Sequence, residues 1–194
     1  MNNNKHAIRD KISRKRTSLE KNKKYLFDEH IYKKSVELIE TIPGNSVFIY
    51  ESFKGEVSTK KIISKLRSKN YKISTPRVGE NREMIAVDIS NEKLDFSKSP
   101  LSKKILDRRL EVVEIDIVLA PVIAFSKTGG RVGYGGGFYD EWFEKNPKPF
   151  RIGLAYSFQQ FDDIIFENHD AQLNFLVSEL EIFDFKNHCL YATT

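Results

Sequence analysis

Between Gly129 and Asp140 the chain reads Gly-Gly-Arg-Val-Gly-Tyr-Gly-Gly-Gly-Phe-Tyr-Asp, and Gly133, Gly135, Gly136 and Gly137 put four residues without a Cβ within five positions. A backbone so stripped bends sharply and lets a ligand come close to its amide groups. The run follows an apolar segment, Ile115–Ala120, and precedes an amphipathic one, Phe138–Phe143. A glycine loop between a buried strand and a helix sets backbone N–H groups and the positive end of a helix dipole at the carboxyl edge of a parallel sheet, where anions bind. Two familiar nucleotide motifs do not match: the loop lacks the closing Gly-Lys-Ser/Thr of a P-loop, and Phe138 stands where a dinucleotide fingerprint has glycine. Taken alone, the run is equally compatible with a tight strand-to-helix turn built for close packing.

The rest of the pattern supplies the sheet that such a loop needs. Ile8, Ile12 and Leu19 form one thin apolar stripe at near-helical spacing, and Leu26, Ile31, Val36, Leu38 and Ile39 form another, so the first forty residues read as two helices. Ser46–Tyr50 reads as a short buried strand. A helix capped by Ser58 follows, running to about Lys69 with Ile62, Ile63 and Leu66 inward, and Lys72–Ser74 is a second strand stopped by Pro76. Strand, helix, strand is the unit of a parallel sheet. Met84–Ile89 reads as a further strand, and Ser90–Arg109 as a polar, mobile loop with a short helix. Ile115–Phe125 is expected to be one central strand buried on both faces. Phe150–Ala155 and Leu173–Ser178 complete the strands, with Glu181–Phe185 as an edge. The expected fold class is α/β: residues 1–194 as a single three-layer domain, a mainly parallel central sheet flanked by helices.

Length and charge narrow the function. A chain of 194 residues buries roughly two-thirds of its unfolded surface and needs no metal or disulfide to fold. The lone Cys189 has no internal partner and the polar, basic start lacks the apolar core of a secretory signal, so a cytoplasmic location is expected. No apolar run approaches the ~20 residues that span a bilayer. Net charge is +5, yet Met1–Lys34 alone holds 11 Lys/Arg against 4 Asp/Glu. That basic N-terminus is compatible with a solvated helical face or with a nucleic-acid surface, although it carries few aromatics for base stacking.

Arg131 is a cation positioned to neutralise phosphate, and Asp140 with Asp170, which follows His169, offers two carboxylates that would suit Mg²⁺ beside a phosphate. Read without the loop, Asp140 is an ordinary helix-start charge and Asp170 an ordinary turn residue.

Arg131–Asp140 resembles the signature of the 5-formyltetrahydrofolate cyclo-ligase family, the methenyltetrahydrofolate synthetases. Further segments agree in order: Lys5 and Arg9; Tyr50 and Gly55-Glu-Val-Ser-Thr59; Thr75-Pro-Arg77; Ile115–Pro121 with Ala124-Phe125; Ile152-Gly-Leu-Ala-Tyr156; Gln160; and His169-Asp170. The resemblance covers nearly the whole chain. It implies a three-layer fold like that of sugar-phosphate isomerases and CoA-transferases. It also implies an ATP- and Mg²⁺-dependent conversion of 5-formyltetrahydrofolate, with or without a polyglutamate tail, into 5,10-methenyltetrahydrofolate with release of ADP and phosphate. ATP phosphorylates the formyl oxygen, N10 attacks the activated carbon, and phosphate leaves.

By the same resemblance, the nucleotide is held by Lys5 and Arg9 on the N-terminal helix and by Arg131, Gly133, Tyr134, Gly135, Gly136, Gly137, Phe138 and Tyr139. The two basic helices over residues 1–41 thus form part of the nucleotide site. Lys5, Arg131 and Tyr139 are the catalytic candidates. Glu51, Glu56 and Tyr134–Phe138 contact the folate, with Glu56 accepting from the pterin N–H groups, and Asp140 and Asp170 carry the metal. Tyr50, Tyr134 and Trp142 are candidates to stack on the pterin, although core packing is the better reading for Trp142. A monomer that binds neither nucleic acid nor membrane is expected. The chain departs from the family at Ser126, where members carry Asp, at Glu51, where the wall residue is often uncharged, and over the Lys-rich Ser97–Arg109. A diverged folate- or nucleotide-binding homologue, a basic nucleic-acid-associated protein and a sugar-phosphate isomerase remain the competing readings.

Overall fold

The computed structural model describes residues 3–79, 81–90, 96, 111–161 and 170–185, with side chains from Lys5 onward. His169, Cys189, the Ser97–Arg109 segment and most of the expected loop before it lie outside the described residues.

Two helices open the chain, α1 (Asn3–Thr17) and α2 (Lys21–Thr41), followed by β1 (Ser46–Ile49), α3 (Lys60–Ser68), β2 (Lys72–Val78) and β3 (Met84–Asp88). The second half holds β4 (Ile117–Pro121), β5 (Ala124–Phe125), β6 (Arg131–Val132), α4 (Phe138–Lys145), β7 (Phe150–Leu154), β8 (Phe175–Val177) and β9 (Ile182–Asp184). Seven strands form one sheet in the order β3-β2-β1-β4-β7-β8-β9. The inner five are parallel, while β3 and β9 pair antiparallel at the two edges.

β1 and β4 are buried along their whole length, and the period of two divides their side chains between two layers. Val47, Ile49, Ile117 and Leu119 pack against Ile31 and Ile39 of α2 and Ile62, Ile63 and Leu66 of α3. Phe48, Val118 and Ala120 pack on the opposite face against Tyr139, Trp142 and Phe143 of α4. Helices, sheet and helix therefore form three layers, as expected from the alternation of β and α segments. Trp142 is a core residue: it is buried, its ring 5.0 Å from that of Phe48.

Four expectations need correction. The Ile115–Phe125 stretch is two strands rather than one. β4 ends at Pro121, whose ring removes a ladder donor, and β5 pairs with β6 in a separate two-stranded sheet on which Ile8 and Ile12 of α1 pack. Pro76 does not stop β2, because pairing with β1 already ends at Ser74 and Pro76 faces Ala86 of β3 within the antiparallel edge. Thr59, not Ser58, is the cap residue of α3, and its hydroxyl accepts from the Ser52 N–H at 3.1 Å rather than from the helix. Leu26 belongs to the apolar stripe of α2 by spacing but is more than half exposed.

Candidate functional site

In an open parallel sheet, a crevice forms at the carboxyl ends of two adjacent strands whose connections run to opposite sides. Here those strands are β1, which continues toward β2, and β4, which continues toward β7 on the other side. Tyr50 and Glu51 follow β1, and Pro121 closes β4. Two cavities open at this point. The larger, about 390 Å³, is lined by Arg16 and Ser13 from α1, Tyr50, Glu51, Phe53 and Glu56 from the β1–α3 connection, and Tyr134 and Tyr139. The smaller, about 80 Å³, is lined by Lys5 and Arg9 of α1, by Arg131 through Asp140, and by Asp170. Pro121, Tyr134 and Tyr139 line both.

The small cavity is a basic cradle closed by backbone. Gly135 has φ +94° and Gly137 φ +75°, conformations that disfavour any Cβ, and Gly137 is the residue at which α4 begins. A Cβ on Gly135 would sit 3.2 Å from the Arg9 guanidinium carbon, so the glycine also lets that cation lie against the loop. Arg9 Nε donates to the Gly133 carbonyl at 2.8 Å. Lys5 and Arg9, one turn apart on α1, thus line the same cavity as the loop. Lys5 Nζ lies 2.6 Å from Asp170 Oδ2, and the buried Arg131 pairs with Asp140 Oδ1 at 2.7 Å while also donating to the Pro121 carbonyl. Three cations thus face two carboxylates around the loop, an excess of positive charge suited to a polyphosphate.

Among the described residues no cluster of three or more metal-ligating side chains exists. Asp140 and Asp170 alone are nonetheless a donor set that suits Mg²⁺, which takes one or two protein carboxylates and completes its shell with phosphate oxygens and water.

The large cavity is mostly apolar with a few fixed polar groups. Glu56 is nine-tenths buried; its Oε1 accepts from the Tyr134 hydroxyl at 2.6 Å and its Oε2 from the Phe53 N–H at 2.6 Å. Burial raises its carboxyl above the usual range, against the opposing pull of those two hydrogen bonds and of Arg16 and Lys24. Glu51 lines this cavity and is also anchored from beneath it. It is fully buried, with Oε1 2.8 Å from Arg77 NH1 and 3.3 Å from the Thr75 hydroxyl, so its charge is already matched beneath the floor. Tyr50 is buried and donates to the Val57 carbonyl at 3.1 Å, which fixes the loop carrying Glu56. The Tyr134 ring is half exposed at the mouth, the only one of the three stacking candidates placed on an open wall; Trp142 lines neither cavity.

Tyr139 stands where the cavities meet. Its ring is buried beside Phe48, and its hydroxyl has no hydrogen-bond partner among the described residues. Burial, reinforced by the nearby Glu56 carboxylate, pushes its pKa up, so it remains a neutral donor. A buried hydroxyl without a partner costs about 1–3 kcal/mol, which a ligand acceptor would recover.

Ser126, one departure from the family pattern, lies in neither cavity. Its Oγ accepts from the Thr128 and Gly130 N–H groups, closing the turn between β5 and β6 as an aspartate oxygen would. Arg16 is the site residue that the sequence reading missed. It sits among Arg14 and Lys15, both exposed, and only its place on the inward face of α1, four residues after Ile12, distinguishes it.

A family model described as the 5-formyltetrahydrofolate cyclo-ligase family matches residues 1–179. The chain belongs to the 5-formyltetrahydrofolate cyclo-ligase family. The 5-formyltetrahydrofolate cyclo-ligase of Haemophilus influenzae is 29% identical over 176 residues, covering 86% of this chain and 92% of the relative. That of Mycoplasma pneumoniae is 28% identical over 181 residues, covering 90% and 98%. Among solved structures, the 5,10-methenyltetrahydrofolate synthetase of Mycoplasma pneumoniae aligns with a TM-score of 0.72 at 26% identity, over 91% of this chain and 99% of the other. The Aquifex aeolicus synthetase aligns at 0.75 over 94% and 93%, and at 24% identity it speaks for the fold alone.

Proposed function

We propose that this chain converts 5-formyltetrahydrofolate into 5,10-methenyltetrahydrofolate at the expense of ATP, releasing ADP and phosphate. The observation that carries the proposal is the junction: a basic glycine cradle and an apolar cavity with a buried carboxylate share three wall residues, and a partnerless tyrosine hydroxyl lies between them. Glu56 accepts from the pterin N–H groups and sets the ring's position, while the Tyr134 ring covers it. Lys5, Arg9 and Arg131 bind the polyphosphate, with the backbone of Gly133–Gly137 and the N-terminus of α4 beneath it, and Phe138 completes the loop.

An amide oxygen is a weak nucleophile, and oxide is a poor leaving group from carbon until phosphorylated. The enzyme's work is therefore alignment and charge neutralisation. The formyl oxygen takes the terminal phosphoryl group and ADP departs; N10 then forms its bond to the formyl carbon and gives up its proton to the departing phosphate or solvent, and the C–O bond breaks with the oxygen leaving on phosphate. Arg131 and Lys5 neutralise charge on the transferring group. Tyr139 donates its proton as a hydrogen bond to the oxygen shared between the two substrates. Mg²⁺ held by Asp140 and Asp170 would neutralise phosphate charge further.

We also propose a cytoplasmic, monomeric enzyme; among the described residues no helix is long and apolar enough to cross a membrane. Purified protein mixed with 5-formyltetrahydrofolate, ATP and Mg²⁺ should produce the near-ultraviolet absorbance of the methenyl product, with one ADP per product. Absorbance that does not depend on ATP, or none at all, would sink the proposal.

A further inference from the structure

We infer that Arg16 is a positioning residue of the folate cavity: it fixes the hydroxyl of Tyr134 as an acceptor toward α1 and thereby commits that hydroxyl's single proton to Glu56. The inference rests on the reading of Glu56 as the pterin acceptor.

Hydrogen-bond bookkeeping carries it. A guanidinium has five donors and no acceptor, so the 2.7 Å contact between Arg16 NH2 and the Tyr134 oxygen runs in one direction only. A tyrosine hydroxyl has one proton, and with its oxygen accepting from Arg16 that proton goes to Glu56 Oε1 at 2.6 Å. Glu56 is then held at both oxygens, from the glycine loop by Tyr134 and from its own loop by the Phe53 N–H. Each carboxylate oxygen keeps a further lone pair, and Glu56 lines the larger cavity.

The relay joins three parts of the fold that are distant in sequence. Arg16 lies in the last turn of α1, Glu56 in the β1–α3 connection and Tyr134 in the glycine loop. Arg16 itself is held firmly. It is 4% exposed, its guanidinium lies 5.7 Å from the Tyr134 ring centroid, and the turn before Glu56 packs on its backbone. At Gly55, with φ +75°, a Cβ would lie 3.3 Å from Arg16 Cβ and 3.5 Å from its carbonyl, so the loop bearing Glu56 is seated on this helical turn. Arg16 Nε has no partner among the described residues, and the side chain lines the larger cavity. A buried cation is costly unless its donors are matched, and among the described residues those of Arg16 have only the short contact to Tyr134 and a longer one, 3.5 Å, to the Val122 carbonyl.

The test uses four variants: Arg16→Met, which keeps the bulk and removes the charge and donors, Arg16→Lys, Tyr134→Phe and the double Arg16→Met/Tyr134→Phe. For each, KM is measured for 5-formyltetrahydrofolate and for ATP, alongside calorimetric folate binding without nucleotide. Expected are a rise of roughly tenfold or more in KM for folate with Arg16→Met, an ATP KM within about twofold of wild type, partial recovery in Arg16→Lys, and a double variant no worse than the worse single one, because both lose the same bond. Equal rises in both KM values, strictly additive effects, or an Arg16→Met enzyme with wild-type folate affinity would overturn the inference. Should Arg16→Met lose its cooperative thermal transition, Arg16→Lys and Tyr134→Phe carry the test: unchanged folate affinity in both overturns it. A wild-type protein without turnover would instead overturn the activity on which the inference rests.

Discussion

Lys5 and Asp170, 165 positions apart, meet at 2.6 Å and close the cradle between the first helix and the segment that leads into β8. Both side chains are largely buried, 15% and 12% exposed, so the attraction between them is offset by the cost of taking two charges out of water and the pair adds little net stability. Its use is spatial: it brings a cation of α1 to the glycine loop. Lys5→Ala should therefore raise the ATP concentration needed for half-maximal rate about tenfold and leave the folate requirement within about twofold. Steady-state kinetics with each substrate varied in turn checks this; a larger effect on folate would misplace Lys5.

Asp140 pairs with the buried Arg131, and an asparagine there retains an acceptor for Arg131 while losing the charge. Asp140→Asn should keep the fold, with a cooperative thermal transition, yet lower kcat by about 100-fold or more and weaken the dependence on Mg²⁺. Titration of rate against Mg²⁺ for both proteins decides the matter; a wild-type Mg²⁺ response would remove Asp140 from the metal site.

Tyr139→Phe offers a prediction with opposite signs for stability and activity. Deleting a buried hydroxyl that has no partner should stabilise the ligand-free protein by about 1 kcal/mol, or roughly 2–4 °C in Tm for a chain of this size. The same change should cost about 10–100-fold in kcat, because the donor at the cavity junction is lost. A variant that is less stable and fully active would show that the hydroxyl serves packing instead.

Burial raises the Glu56 carboxyl above the ordinary carboxylate range, and two signs follow. The folded state then binds the Glu56 proton more tightly than the unfolded one, so its stabilising contribution is present below the unfolded pKa and is lost as pH rises through the folded pKa. Glu56→Gln should accordingly gain stability relative to wild type as pH rises toward neutrality. Pterin N–H groups need the ionised carboxylate, so the acid limb of kcat/KM for folate should fall above the usual carboxylate range and flatten in Glu56→Gln, whose affinity is lower throughout. Arg16, Lys24 and Tyr134 face the carboxylate and all act against the shift. Thermal melts and pH–rate profiles of both proteins test the two signs.

How far the sequence revealed this arrangement depended on what each signal encodes. The unbroken apolar run of Ile117–Ala120 foretold burial on both faces, because strand side chains alternate with a period of two and here both sets are apolar. The glycine loop, Lys5, Arg9, Arg131 and both aspartates come together at one small cavity because the motif encodes local backbone and the sheet's switch point brings the rest. Break signals misled where tertiary pairing took over: Pro76 survives in β2 because no ladder to β1 needs its N–H, whereas Pro121 does end β4. Glu51 lines the larger cavity, but its pairing with Arg77 was not legible, because that proximity comes from β2 and is invisible in spacing. Arg16 was hidden for the converse reason: one buried cation within a lysine- and arginine-rich helix has the same letter pattern as its solvated neighbours.

The most direct test of the account is to follow the formyl oxygen. With 5-formyltetrahydrofolate carrying ¹⁸O in the formyl group, turnover with ATP and Mg²⁺ should place one ¹⁸O in each phosphate released, read by mass spectrometry, because the oxygen leaves on the phosphoryl group it accepted. Unlabelled phosphate, with the label in water, would contradict phosphorylation of the formyl oxygen and with it the role assigned to the junction of the two cavities.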